Sequence, residues 1–233
     1  MTSTKVVSEN STRTRPLEFD RAQVAKRKRL ILIKEAAKVF SEFGYSKTSL
    51  DDVASNLNLT KAALYYYFRS KQELLYECYC HSFDALESAL DYGVTRGNNG
   101  KEKIELFVRK YLSEGLGDLH YAVHLRDQEM LEENYLASIT QRRRTARDIQ
   151  RALVEEGIAD GTISPCDPKL AVMMVSASVA WMVKAYRPDS ERTAADYADE
   201  VVRLLFFGLA KPIPRIYPRK KNNVVDDLHS LGR

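Results

Sequence analysis

Cysteine is scarce in this chain of 233 residues, with only Cys78, Cys80 and Cys166. An odd number without paired spacing argues against a disulfide framework and fits a reducing compartment. Cys78 and Cys80, two apart, point in different directions on a helix and make poor co-ligands for a metal. Histidine is scarce too: His81, His120, His124 and His229. His120 and His124 have the i, i+4 spacing that could share a metal, but no third ligand accompanies them, so no metal site is expected. Neither a glycine-rich phosphate loop nor a nucleophile elbow occurs, and neither an enzyme nor a cofactor is expected. The longest apolar run, Leu170 to Val183, is closed by Lys184 and is short for a bilayer span. The first residues carry no apolar signal segment, so a cytoplasmic protein without a membrane partner is expected. Strand alternation and internal repeats are lacking as well.

What is present is charge, unevenly placed. Residues 1–71 hold fourteen Lys/Arg against seven Asp/Glu, residues 72–210 sixteen against twenty-three, and residues 211–233 six against two. A basic first third on an acidic body suggests that the first third meets a polyanion. A merely solvated basic face would have the same charge. Residues 1–20 are polar, rich in Ser and Thr and without periodicity, and are read as a flexible basic arm. Residues 212–233, with Pro212, Pro214 and Pro218, are read as a basic, disordered tail.

Between these ends the pattern is helical. Ile33, Ala36, Ala37 and Phe40 fall on one face of a helix starting near Ala22, and Gly44 follows as a stop. Thr48-Ser49-Leu50-Asp51-Asp52 marks a helix start, because a hydroxyl accepts a free N–H and acids suit the positive end of the dipole. That helix ends near Leu57, and Thr60 caps a second short one through Phe68. Leu64 and Phe68 define its buried face, with Tyr67 bordering it and Tyr65 and Tyr66 farther round. Ser70 with Glu73 reads as a capping box opening a helix to about Asp91. Two short helices joined by Asn58-Leu59-Thr60 form a helix-turn-helix unit, with Leu59 expected as the buried plug.

Beyond Gly97-Asn98-Asn99-Gly100, a helix is expected from Lys101 to about Ser113, broken by Gly115 and Gly117. A short segment over 119–125 leads to a long helix from about Asp127 to Glu156, ended by Gly157. Asp167-Pro168 opens an apolar helix to about Tyr186, and a last helix spans about Thr193 to Leu209. The reading is all-α: an N-terminal three-helix helix-turn-helix domain (21–75), then a larger helical domain (76–211).

The residues Ala36-Ala37-x-x-Phe40-x-x-x-Gly44-Tyr45, Thr48-Ser49-Leu50-x-x-Val53-Ala54, Leu59-Thr60-x-x-x-Leu64-Tyr65-x-x-Phe68 and Ser70-Lys71-x-x-Leu74-Leu75 hold their spacing together. The stretch from Ile33 to Leu75 thereby resembles the DNA-binding domain of the TetR family of bacterial repressors. The rest of the chain is similar to the family in being helical, of suitable length, with two final helices suited to pairing. One departure is Asn58, where the family usually has Gly; Asn can supply the same left-handed backbone.

In a helix-turn-helix unit the N-terminal residues of the second helix meet base edges. Here these are Thr60, Lys61, Ala62 and Ala63. Lys61 can donate to guanine O6 and N7, and the alanines can touch a thymine methyl. Tyr65, Tyr66 and Tyr67 carry hydroxyls suited to phosphate oxygens, and Tyr66 can reach a base. Lys71, Thr48 and Ser49 sit at helix starts, where free N–H groups favour a phosphate. Arg13, Arg15 and Lys26 to Arg29 are further candidates for phosphates or a minor groove. Each of these residues has a plainer reading as a cap, a solvated charge or a core contact.

The resemblance implies a homodimer on a palindromic operator, released by a small-molecule effector. Met173, Met174, Ala177, Val179, Ala180, Val183, Val201, Val202, Leu205, Phe206 and Leu209 give the last two helices more apolar surface than one core needs, which points to a dimer interface. His120, His124, Arg126, Trp181 and Tyr186 are candidate effector contacts. Trp181 to Pro188 is similar to family members that respond to lipid-like or acyl-CoA ligands. The alternatives are an effector-independent architectural DNA-binding protein and an enzyme on a helical scaffold.

Overall fold

The computed structural model describes residues 17–118, 129–186 and 191–209. The described residues form eight α-helices: α1 (Leu17–Phe43), α2 (Leu50–Asn56), α3 (Lys61–Tyr67), α4 (Lys71–Arg96), α5 (Gly100–Asp118), α6 (Glu133–Ala159), α7 (Pro168–Ala185) and α8 (Ala194–Phe207). No strand occurs among them, and the fold is all-α. The tail at 212–233, the short segment at 119–125 and most of the arm lie outside the described residues.

Capping chemistry sets most of the helix starts. Ser49, Thr60, Ser70, Asp167 and Thr193 each take up a free backbone N–H of the helix that they precede. At Ser70 the box is only half made: its hydroxyl accepts from Glu73 N, but the Glu73 carboxylate accepts from Arg69 N at 2.7 Å. At Thr193 the box is complete through Asp196.

Two apolar cores lie along α4. The first gathers Ala36 and Phe40 of α1, Val53 of α2, Leu64 and Phe68 at α3, and Leu74, Leu75 and Cys78 of α4. The second gathers Leu90 of α4, Ile104, Phe107, Val108, Leu112 and Leu116 of α5, Leu153 of α6, Val179 of α7 and Val202 of α8. α4 is thus shared by the two cores.

Several helix bounds differ from the sequence expectation. α1 starts at Leu17, inside the stretch expected as arm. α5 runs through Gly115 instead of stopping before it, because buried Leu112 and Leu116 hold this turn in the second core. α6 starts at Glu133 and passes Gly157 to reach Ala159.

Gly157 serves close packing rather than termination. A Cβ on Gly100 would lie 2.1 Å from Gly157 N, and one on Gly157 would lie 2.5 Å from Ile163 Cδ1. Gly100 N also donates to Asp160 Oδ2 at 3.0 Å. Gly100→Ala is therefore expected to destabilise the body by about 1–3 kcal/mol, since backbone must move. Gly157→Ala should cost less, because it meets the Ile163 side chain and not backbone. Thermal melts of the two variants check this order.

The turn between α2 and α3 closes in the way that a glycine usually allows. Asn58 has φ +52°, the one positive value among described non-glycine residues. Its N–H donates to Ser55 O at 3.1 Å and Leu59 N–H to Ala54 O at 2.9 Å, the paired bonds of a Schellman motif. This geometry turns Leu59 outward, 36% exposed, and packs Leu57 against the core. The half-buried Leu57, not Leu59, packs against the first core, contrary to expectation. Asn58→Val is expected to cost about 1–2 kcal/mol and Asn58→Gly to be neutral or stabilising, read as opposite changes in denaturant midpoint.

α7 is apolar almost all round, and its apolar residues divide in two. Val172, Val175, Val179 and Val183 are buried, while Leu170, Met173, Met174 and Trp181 stand exposed as one stripe. By length and composition alone the 18 residues of α7, Lys169 and Lys184 included, could cross a membrane. Its valine face, however, packs into the second core.

Candidate nucleic-acid interface

α3 is fixed from behind and open in front. Leu64 and Phe68 are fully buried, Phe68 beneath the Arg29 guanidinium at 4.8 Å from the ring centroid. Thr60 Oγ1 accepts from Ala63 N at 3.2 Å, which orders the first turn. The side chains of Thr60, Lys61 and Ala62 face solvent, and Ala63 is half-buried. The small alanines leave the start of α3 low enough for the helix to approach a groove.

The three tyrosines separate as the helical rows require. Tyr66 is 81% exposed, Tyr65 is exposed, and Tyr67 is half-buried against the first core. Tyr67 meets Tyr66 edge to face at 5.1 Å, so the inner ring props the outer one.

Lys61 is not a freely waving charge. Its Nζ lies 2.7 Å from Asp51 Oδ2 of α2 and 5.9 Å from the Tyr65 ring centroid. The Asp51 carboxylate, as hydrogen-bond acceptor and counter-charge, raises the Lys61 pKa. The pair ties the starts of the two short helices and stations an ammonium at the front of α3.

An open groove of about 550 Å³ flanks this front, lined by Ser46, Lys47, Thr48, Ser49, Leu50, Asp52, Tyr65, Arg69, Ser70 and Lys71. Its cations and hydroxyls suit a phosphate strand. The groove gathers Thr48, Ser49, Tyr65 and Lys71, and each already has local work. Thr48 is buried, its hydroxyl donating to Gly44 O at 2.8 Å. The Ser49 hydroxyl and N–H both donate to Asp52 Oδ2 at 2.7 Å, which holds the Asp52 carboxyl below its usual range. Lys71 Nζ donates to Tyr45 O and sits 3.8 Å over the Tyr45 ring.

Lys47 and Arg69 escaped the sequence reading. They flank the caps at Ser49 and Ser70, and basic residues beside caps were the available signal. The run Lys26 to Arg29 lies on α1, not on an arm. Arg29 turns back to Glu73 at 3.4 Å and Glu77 at 2.9 Å, so it braces α1 against α4 rather than facing a polyanion.

In the body, the structure does not bring Trp181 and Tyr186 together. Trp181 is exposed on the α7 stripe, with Lys184 Nζ 5.4 Å from its ring centroid. Tyr186 is buried, edge to face with Tyr197 at 5.5 Å. His120, His124 and Arg126, like Arg13 and Arg15, lie outside the described residues. No group of His, Cys, Asp and Glu suited to a metal occurs among the described residues.

Comparison with known proteins follows the same division. Residues 32–78 match the family described as bacterial regulatory proteins, tetR family, and residues 97–209 match the tetracyclin repressor-like C-terminal domain. The HTH-type transcriptional repressor KstR2 of Rhodococcus jostii is 25% identical over 190 residues, 79% of this chain and 92% of that protein. The crystal structure of the TetR family transcriptional regulator PfmR from Thermus thermophilus has a TM-score of 0.68 at 28% identity, covering 77% of this chain and 99% of that one. A crystal structure of AibR in complex with isovaleryl coenzyme A and operator DNA has a TM-score of 0.65 at 25% identity, covering 76% and 98%.

Proposed function

Since the chain belongs to the TetR family of bacterial transcriptional regulators, and is a DNA-binding regulator rather than an enzyme, we propose that it is a repressor released from a palindromic operator by a small molecule. The observation that carries this is the open front of α3: Lys61 stationed by Asp51, small residues beside it, and Tyr66 held outward by Tyr67. Lys61 and the alanines read base edges, while Tyr65, Tyr66 and Lys71 hold phosphates. Residues 21–75 form the DNA-reading unit and 76–211 the effector and dimerisation unit.

The protein works in the cytoplasm as a homodimer through α7 and α8. The exposed stripe of Leu170, Met173, Met174 and Trp181, with Phe207 and Leu209 beyond it, supports this, because a monomer would leave the patch in water. Two heads then read half-sites about 34–36 Å apart or a multiple of that. An effector acts only by favouring one spacing over the other. The AibR complex, with isovaleryl coenzyme A and operator DNA, supports an acyl-CoA or similar lipid-like effector.

A gel-shift assay with DNA from the protein's own upstream region tests this reading. The expected result is a specific complex at nanomolar protein that isovaleryl-CoA or octanoyl-CoA dissolves. A complex that persists with every thioester would favour an architectural protein without an effector.

A further inference from the structure

α6 carries three consecutive arginines, and the fold treats each differently. Arg142 is claimed by carboxylates: Nη2 lies 2.6 Å from Asp84 Oδ1 and 2.7 Å from Glu87 Oε2, and Nη1 donates to Cys80 O at 3.3 Å. Arg144 is exposed. Arg143 turns inward on the face that α6 buries with Ile139, Ala146 and Gln150. Its Nε and Nη2 are buried and have no hydrogen-bond partner among the described residues.

The surroundings make this a costly arrangement. Burial, together with repulsion from Arg147 one turn along, depresses the Arg143 pKa. The one favourable electrostatic contribution is Tyr79 of α4. Arg143 is half-buried, and the two nitrogens that lose water without gaining an acceptor among the described residues destabilise the protein. Buried polar groups usually have a partner, so two guanidinium nitrogens without one at a helix–helix junction suit a partner that binds later.

The location suits an effector. Ile139 belongs to the first core and Ala146 to the second, so Arg143 stands where the two cores meet along α4. The same interior carries other polar atoms: Gln150 is buried, with Ser176 Oγ of α7 at 3.5 Å from its Oε1. Burial alone pushes the Tyr111 hydroxyl up to about 12.

We infer that the inward edge of Arg143 receives an anionic group, a carboxylate or phosphate, of an otherwise apolar effector seated between α4 and α6. The inference rests on the effector-released repressor proposed above. A guanidinium offers such an oxyanion two parallel donors, and a charge-assisted pair is stronger than a neutral one. Binding there would remove the unpaired cation and set the position of α4 relative to α6. That supplies the differential affinity by which a ligand shifts a two-state equilibrium.

The test uses the full-length protein, its Arg143→Met and Arg143→Lys variants, and Arg144→Met as an exposed control. Each is melted alone and titrated with octanoate and with octanoyl-CoA. Arg143→Met is expected to melt higher than wild type without a probe, to keep operator affinity, and to bind the probe roughly 10- to 100-fold more weakly. Arg143→Lys should retain part of the binding, and Arg144→Met all of it. Loss of octanoate binding identifies a carboxylate as the anion; loss confined to octanoyl-CoA identifies a phosphate. A lower melting point for Arg143→Met, unchanged probe affinity, or no response of wild type to either probe would overturn the assignment. A wild type that binds a probe yet keeps its operator refutes the release mechanism alone, and Arg143 stands if Arg143→Met has lost that binding.

Discussion

Replacing Lys61 and Tyr66 together by alanine is expected to reduce operator affinity roughly 30- to 1,000-fold. Lys61 stands at the start of α3, where it can donate to a guanine edge, and a lost bidentate base contact weakens the right sequence more than a wrong one. Tyr66, 81% exposed and set edge to face with Tyr67, is expected to contribute phosphate contact and register. Fold stability should barely change, because neither side chain fills a core. The test is fluorescence anisotropy on operator and scrambled DNA across a salt series. Lys61→Ala alone should also lower the slope of log affinity against log salt by about 1 if it touches a phosphate, and relax base preference if it reads a base. Tyr65 and Tyr66 changed to Phe should weaken all sequences alike. A shift in preferred sequence would instead make one of them a base reader.

Phe68→Ala should have the largest effect on stability, about 3–5 kcal/mol. Phe68 is fully buried where the chain leaves α3 in extended conformation, at φ −137° and ψ 125°. Its ring fills space shared by α1, α3 and α4 in the first core and carries the Arg29 guanidinium on its face. Deleting it opens a cavity that the backbone of a seven-residue helix cannot collapse to fill. Since a domain is stable by only about 5–15 kcal/mol, the helices around α3 should loosen first. Circular dichroism melts and hydrogen exchange check this, with protection lost in α2 and α3 before α5 to α8. Operator binding should fall with it, because α3 has no stability of its own at this length. Tyr67→Phe is the matching mild change, since a half-buried ring keeps its packing without the hydroxyl.

The helix-turn-helix was legible because its determinants are local. Ser49, Thr60 and Ser70 announce three helix starts within a short span, and Leu64 and Phe68 mark one buried row. Asn58 was legible in the same way, since left-handed geometry is tolerated by few residue types. What was hidden depends on neighbours distant in sequence. Gly115 lies within a continuous helix because the second core holds Leu112 and Leu116, and Gly157 makes room for Gly100 and Ile163. Leu59 looked like a plug from hydrophobicity, but the Schellman turn decides which way it points. The Lys61–Asp51 pair spans two helices, and the lack of a partner for two Arg143 nitrogens among the described residues is invisible beside Arg142, whose carboxylates come from α4. Sequence period tells which face is buried, but not which charge is left without its partner.

The central claim is that a dimer of this chain reads two half-sites and loses them to an effector. Footprinting of the upstream DNA, with and without octanoyl-CoA, tests it most directly. The account predicts one protected inverted repeat with half-sites about one or two helical turns apart, cleared as the thioester is added. Protection spread without symmetry, or unchanged at saturating thioester, would contradict it.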